Sequence, residues 1–558
     1  MKSSALIRWF FCFILFTTAA VAGCTSTDPA ATKPVPIDPP QPAVQPQSAS
    51  PRTGGELVIA SPGTLPAFDP YGVSKKKAEL NDFEWLSYRG LLSYGDDQTI
   101  IPELAAEYRV ELQNGKPVVV LTLRQGAVWS DGKPVTADDV LFTYEEYARP
   151  HYYGVWRNRM HLVDGISAFR TGKAPRLSGL SVDAKQGVVR ITLQRDDITF
   201  LQALTAPLLP KHQLGGKTIG EIDALSRAGS IVGAGPFQLK TREKEQWTFA
   251  SHPGYYGGKP HIAEIRVKPI SSAEMAEQVK AGSVQLGWIS PEEANRLQNG
   301  SGERAKVMAG EARGYHLLGF NLQSQAMQDP AVRRALSQAL SPETIAREHF
   351  FGLAKAAKSP LPDQSFAYQA GAYPGGQPEA ARDTLVQKGY STEKPLALTL
   401  VYPAGNAVRE RLVEALLQAW QTLPLRVEKK PLPPEEFTAY LFGGSPLDLY
   451  LYGWEYPQDP AELIEMWHTR EKVGERGYNA SRYQNPQADR LLERGQLLLP
   501  ADERKKLFVE WQQLLAADLP MVPLVEIPNH YYVSERLQGV EQLLGMRPFR
   551  GIEKWWLQ

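Results

Sequence analysis

The stretch LRVEKKPLPPEEFTAYLFGGSPLDLYLYGWEY, residues 425–456, contains one complete strand–helix–strand unit. LRVEKK reads as a strand and PPEEFTAYLFGG as a helix. The last segment alternates Leu447, Leu449 and Leu451 with Asp448, Tyr450 and Tyr452 and stops at Gly453, the period-2 pattern of a strand. Trp454, Glu455 and Tyr456 follow at its end, before the chain turns on Pro457 and an Asp-Pro pair. Immediately upstream, PLALTLVY (395–402) is a strand, and RERLVEALLQAWQT (409–422) is an amphipathic helix with Leu412, Leu416 and Trp420 at i, i+4 and i+8. The fold class is therefore α/β. In open α/β sheets ligands settle at the carboxyl ends of strands, so Trp454, Glu455 and Tyr456 are expected to face a crevice. Tyr450 and Tyr452 share a face opposite the leucines, so one apolar layer does not account for both sides of this strand.

The same alternation continues in both directions. Order begins at GGELVIAS (54–61), a strand entered through two glycines. IAEIRVKPI (262–270) and VQLGWI (284–289) read as strands around a helix that Ser271 and Glu274 open as a capping box. Ser290, Pro291 and Glu293 start the next helix, and Asp329-Pro330 and Ser341-Pro342 place a capping side chain before a first-turn proline. A chain of 558 residues exceeds what one hydrophobic core serves, and two α/β lobes are expected.

Composition narrows the chemistry. Sixty-one basic residues balance 61 acidic ones, which provides no attraction for a polyanion, and no nucleic-acid partner is expected. The nine histidines form no HExxH and have no cysteine partners, so no metal site is expected. GAGPFQ (233–238) carries two glycines of a dinucleotide fingerprint, but Gln238 fills the third position and the segment reads as a turn. There is no G-x-S-x-G and no phosphate-binding loop. Asp138, Asp139, Glu145 and Glu146 fall in a helix opened by Thr136, where Asp139 at N3 complements the helix dipole. No catalytic residue, no cofactor and no enzymatic activity are expected.

The amino terminus indicates export. Lys2 and Arg8 precede WFFCFILFTTAA, an apolar run of signal-peptide length, and the run ends in VAGC, which resembles the lipobox of bacterial lipoproteins. That resemblance makes residues 1–23 a lipoprotein signal peptide and Cys24 the lipidated first residue. Removing Lys2 and Arg8 leaves 59 basic and 61 acidic residues and one cysteine, so no internal disulfide can form. Residues 24–53 are rich in Pro, Ala, Gln and Ser, too poor in large apolar side chains to fold, and read as a disordered, semi-rigid tether.

IPELAAEY (101–108) followed by LTLRQGAVWSDGKPVTADDVLFTYE (121–145) resembles the signature of the solute-binding proteins of ABC transporters in the oligopeptide/dipeptide/nickel class, the bacterial extracellular solute-binding family 5. GAGPFQL, HPGYYGGKPHIAEIRVKPI, GFNLQSQAMQDPAVRRALSQAL and YQNPQADRLLERGQLLLPADERKKLFVEWQQLLAADLPMVPL occur in family order, and the likeness spans roughly residues 54–540. It implies a bilobal, periplasmic-binding-protein-like fold of type II with an extra inserted subdomain. Lobe I would comprise 54–89, 208–315 and 533–558, the inserted subdomain 90–207, and lobe II 316–532. The implied molecule is an extracytoplasmic monomer, lipid-anchored on the periplasmic side or the outer face of the cytoplasmic membrane. It would close over a peptide or peptide-like solute and deliver it to ABC permease subunits. A non-peptide solute such as an oligosaccharide, opine or metal chelate is the first alternative, and an envelope sensor or adhesion protein without a transport role the second.

The resemblance also implies site residues. Gly453-Trp454 corresponds to the family's Gly-Trp, after which peptide binders place an aspartate three residues on to pair with the peptide ammonium. Pro457 occupies that position here, so Glu455 or Asp459 is expected to substitute, with Tyr456 beside them. Tyr71, Gly72 and Val73 from the first lobe, Phe437 before the clamp strand, and Tyr531 and Tyr532 near the lobe crossing complete the expected ligand contacts.

Overall fold

The computed structural model describes residues 50–558 apart from 63–64, 74–79, 272–273, 276, 279–280, 300–304, 476 and 546. The signal peptide, Cys24 and almost all of the proline-rich segment lie outside the described residues. The described chain from Pro51 to Gln558 is one compact unit.

Three sheets organise it. A seven-stranded sheet runs in the order Ala305–Ala309, His530–Ser534, Leu286–Ile289, Glu56–Ser61, Glu264–Pro269, Trp247–Ser251 and Phe237–Arg242. A six-stranded sheet runs Lys355–Ala356, Met521–Glu526, Gly314–Phe320, Leu449–Glu455, Leu396–Pro403 and Leu425–Leu432. A four-stranded antiparallel sheet, Ala105–Gln113, Lys116–Leu123, Val188–Thr192 and Leu180–Asp183, forms the inserted part. The architecture is thus the bilobal α/β arrangement with an added subdomain. Two short segments join the large sheets: 310–313 leads out of the first into the second, and 527–529 leads back. They are tied by Gly310 N donating to Asn529 O at 2.8 Å.

The strand at Leu449–Glu455 extends two residues past Gly453, because Gly314 and Tyr315 of the neighbouring strand continue to pair with Glu455 and Trp454. Its two faces serve different cores, which resolves the alternation. Leu449 and Leu451 enter a cluster with Leu412, Leu416 and Trp420 of the helix Ala407–Ala419, whereas Tyr450 packs into the larger core on the other side, its hydroxyl on Ser481 Oγ at 2.8 Å. Each of these fully buried leucines contributes about 1.5–3 kcal/mol relative to solvent exposure. The expected caps are in place: Asp329 accepts from Ala331 N at 2.9 Å, and Thr136 and Asp139 form a capping box. Glu293 N donates to Ser290 Oγ at 3.2 Å, and Ser341 accepts from Thr344 N. Part of the helix expected after Ser271 lies outside the described residues, but 274–275 and 277–278 are helical and Glu274 N donates to Ser271 Oγ at 3.3 Å.

Candidate ligand cleft between the lobes

The carboxyl ends of strands from both large sheets meet at a cleft of about 470 Å³. Ser61 ends the strand Glu56–Ser61, Glu455 ends Leu449–Glu455, and both line it. Asp82, Phe83, Trp85 and Gln98 near the start of the described chain, Arg159, Gln202 and Trp288 further on, and Tyr456, Gln458, Glu462 and Arg547 towards its end also line it. A volume of this size lies in the range of small-molecule sites, and strand ends are where α/β folds bind ligands. A smaller cavity of about 190 Å³ adjoins it and shares Asp82, Trp85 and Arg547.

Charge in the cleft is arranged across the boundaries between its parts. Arg313, in the crossing segment, donates through Nη2 to both carboxylate oxygens of Asp82 at 2.7 Å. The Arg547 guanidinium lies 4.4 Å over the Trp85 ring and 5.3 Å over Tyr94 while donating to Gln458 Oε1 at 3.1 Å. Gln98 Nε2 donates to Pro457 O at 2.5 Å. Gln202 Nε2 donates to Glu462 Oε1 at 2.7 Å, and Arg159 Nη2 stands 3.7 Å from that oxygen. Burial pushes the Glu462 carboxyl up to about 7 despite the opposing charge of Arg159, because desolvation disfavours the ionised form. Tyr456 borders the cleft, but its hydroxyl is turned to Glu526 Oε1 at 2.6 Å and its ring stacks on Tyr315. Burial raises the Glu526 carboxyl as well.

Of the residues expected to touch ligand, only Glu455 and Tyr456 are in the lining. Asp459 is not an open anchor: it is 2 % exposed, its Oδ2 accepts from Arg504 Nη1 at 3.0 Å, its Oδ1 from Arg504 Nη2, and it caps the following turn by accepting from Ala461 N at 2.8 Å. Trp454 and Phe437 lie outside the lining in an aromatic cluster, where Phe437 and Tyr452 are 5.2 Å apart and Trp454 packs on Phe442 and Tyr452. Gly453 is pressed against His316, where a Cβ would approach the ring to 3.0 Å. Tyr71 is buried between Tyr147 and Tyr152, Gly72 abuts Trp156, and Val73 packs on the same core. Tyr531 lies across from Trp288 in the first sheet, their rings 5.6 Å apart and tilted by 55°, and Tyr532 enters a separate small core.

The residues missed in the sequence are Asp82, Trp85, Gln98, Arg159, Gln202, Trp288, Arg313, Gln458, Glu462 and Arg547. They come from segments spread over more than 450 positions, with no local pattern joining them. One signal was present: Asp459-Pro460 followed by Glu462 is the same Asp-Pro helix start as Asp329-Pro330, and it marked Asp459 as a cap.

Among curated proteins, the chain is 24 % identical over 540 residues to the oligopeptide-binding protein AppA of Bacillus subtilis (strain 168), covering 91 % of this chain and 93 % of that one. It is 22 % identical to heme-binding protein A of Haemophilus influenzae, covering 83 % and 86 %. The structure of the Bacillus subtilis AppA in complex with a nonapeptide aligns with a TM-score of 0.68 at 23 % identity, covering 91 % of this chain and all of that one. Residues 99–474, more than half of the sequence, match the family profile for the middle region of bacterial extracellular solute-binding proteins, family 5, and the chain belongs to that family.

Proposed function

We propose that this protein is a lipid-anchored extracytoplasmic receptor that captures a peptide or peptide-like solute between its lobes and delivers it to an ABC permease. The observation that carries the reading is the cleft itself. It sits at strand carboxyl ends and is lined by acids (Asp82, Glu455, Glu462), arginines and the aromatic rings of Phe83, Trp85 and Trp288. Such a lining suits a ligand with separated positive and negative groups and an apolar or peptide-like body. The two short crossing segments provide the hinge that closure requires, and closure is selected by contacts to both sides at once. In this reading Glu455 supplies acidic character to the wall, Arg313 and Arg547 meet carboxylate or carbonyl groups, and Tyr456 forms a rigid side. The relatives that bind oligopeptides support the peptide class. The lipid anchor rests on Cys24 and its preceding VAG. No bond-making step belongs to this role, and the receptor acts as a monomer.

A non-peptide solute is the second reading. It is favoured by Pro457 standing where peptide binders carry an aspartate, and by the heme-binding relative. Mass spectrometry of whatever remains bound after gentle purification decides between them: a family of short peptides supports the first, a single non-peptide compound the second.

A further inference from the structure

We propose that Gln98, Gln202 and Glu462 form a subsite for a cationic nitrogen of the ligand, a primary ammonium in particular, where the inserted subdomain meets the second lobe. The proposal rests on the cleft being the ligand site and assigns the chemistry of one end of it.

The argument starts from two side-chain amides whose orientation is set by their partners. Gln202 Nε2 donates to a carboxylate, and Gln98 Nε2 donates to the main-chain carbonyl of Pro457. A main-chain carbonyl only accepts, so turning the Gln98 amide over would set acceptor against acceptor, and the same holds for Gln202 whenever Glu462 is ionised. Their carbonyl oxygens are therefore the groups left to accept a further hydrogen bond. Both side chains line the cleft, Gln98 is 4 % and Gln202 5 % exposed, and each Oε1 is buried and accepts no hydrogen bond from the described residues. A buried acceptor without a donor is costly, and native structures tolerate few of them. Gln98 is also held at φ +66°, a left-handed conformation that side chains with a Cβ rarely adopt and that concentrates at functional positions.

Glu462 completes the set. Its carboxylate takes one amide N–H from Gln202 and a long 3.4 Å contact from Gln458 N, and the nearest cation, Arg159, stands at 3.7 Å, beyond hydrogen-bond length. Three acceptor-bearing side chains lining one cleft match a group that has three donors and no acceptor, which describes an ammonium.

The charged and titratable neighbours of Glu462 are few. Arg159 faces it from the segment Val155–Leu162 and Tyr94 from the strand Leu92–Tyr94, while Glu465 and Asp459 lie on its own side, the latter paired with Arg504. With the carboxyl raised to about 7 by burial, the site holds a proton part of the time at neutral pH. An arriving cation favours the ionised form, so binding releases that proton and affinity rises between pH 5.5 and pH 8.

The test uses the whole chain in equilibrium dialysis with three probes: a randomised tetrapeptide pool lacking Lys and Arg, the same pool N-acetylated, and spermidine, with bound material measured by mass spectrometry. The expected result is that free-amine peptides bind about 10- to 100-fold more tightly than acetylated ones at pH 8, the gain of one charge-assisted contact, and that this advantage shrinks at pH 5.5. E462Q should abolish both the preference for free-amine peptides and its pH dependence. Q202L, which leaves the carboxylate in place, should weaken free-amine binding several-fold and keep the pH trend, and thermal melts establish that both variants fold. Equal binding of the two pools, or an undiminished preference in E462Q, overturns the subsite and leaves the peptide reading standing. Binding of spermidine alone supports the subsite and overturns the peptide reading, and binding of none of the three overturns both.

Discussion

Replacing Asp459 with alanine is expected to destabilise the second lobe severely without altering what the cleft binds. Arg504 is 4 % exposed, with its guanidinium 5.5 Å from the ring centres of both Phe366 and Phe508. Once the carboxylate is gone, only Gly495 O, at 3.0 Å, still accepts from it. Stranding one member of a buried ion pair costs about 3–5 kcal/mol. The alanine also removes the acceptor for Ala461 N, worth about 1 kcal/mol as an N-cap. The sum is about 4–6 kcal/mol. With a urea slope of roughly 3 kcal/mol/M, the unfolding midpoint falls by about 1.3–2 M. Trp467 and Trp511, fully buried and 6.4 Å apart, report the transition by fluorescence. The double variant D459A/R504M should recover at least half of the loss, since no charge is then left buried alone. A D459A protein with an unchanged midpoint and abolished binding would refute this reasoning and return Asp459 to the role of ligand anchor.

G72A should lower stability by about 2–5 kcal/mol in thermal denaturation. Gly72 has φ +82°, and its new Cβ would come within 2.8 Å of Trp156 Nε1 and 2.9 Å of Val155 Cγ2, which combines left-handed strain with overpacking. E146Q should flatten the pH dependence of stability. Burial pushes the Glu146 carboxyl to about 7 in the folded state, above its unfolded value of about 4.3, so its contribution is fully present below about pH 4 and is lost as pH rises to about 7. The wild type should therefore lose up to about 3 kcal/mol over that window through this group, and urea midpoints at pH 4.5, 6 and 8 measure the difference.

The fold was legible because its signals are local. Leu412, Leu416 and Trp420 lie within three turns of one helix, Asp329-Pro330 marks a helix start within two residues, and Leu449 alternates with Tyr450 along one strand. Each pattern needs only its own neighbours to be read. The strand end at Glu455 was misplaced at Gly453 because glycine signals a stop, whereas the ladder to Gly314 and Tyr315 holds the strand two residues longer. The cleft was mostly illegible for the converse reason. Gln98 meets Pro457, Gln202 meets Glu462 and Arg547 meets Gln458 only after two lobes and an inserted sheet have assembled. Aromatic residues are ambiguous for a related reason: Tyr71, Phe437, Tyr531 and Tyr532 carry polar or broad rings that suit a ligand wall, yet the packing of two cores buries them all. Glu455 and Tyr456 stand in the cleft lining because a strand's carboxyl end is a position that topology alone singles out.

The central claim is that the two lobes swing on segments 310–313 and 527–529 to enclose a solute at the strand ends. Small-angle X-ray scattering of protein stripped of bound material by partial unfolding and refolding, recorded before and after returning the co-purified solute, measures this directly. The account predicts a smaller radius of gyration with solute present, saturating at one equivalent, and no such change in protein whose lobes are cross-linked across the cleft mouth. Identical scattering with and without a solute that demonstrably binds would contradict it.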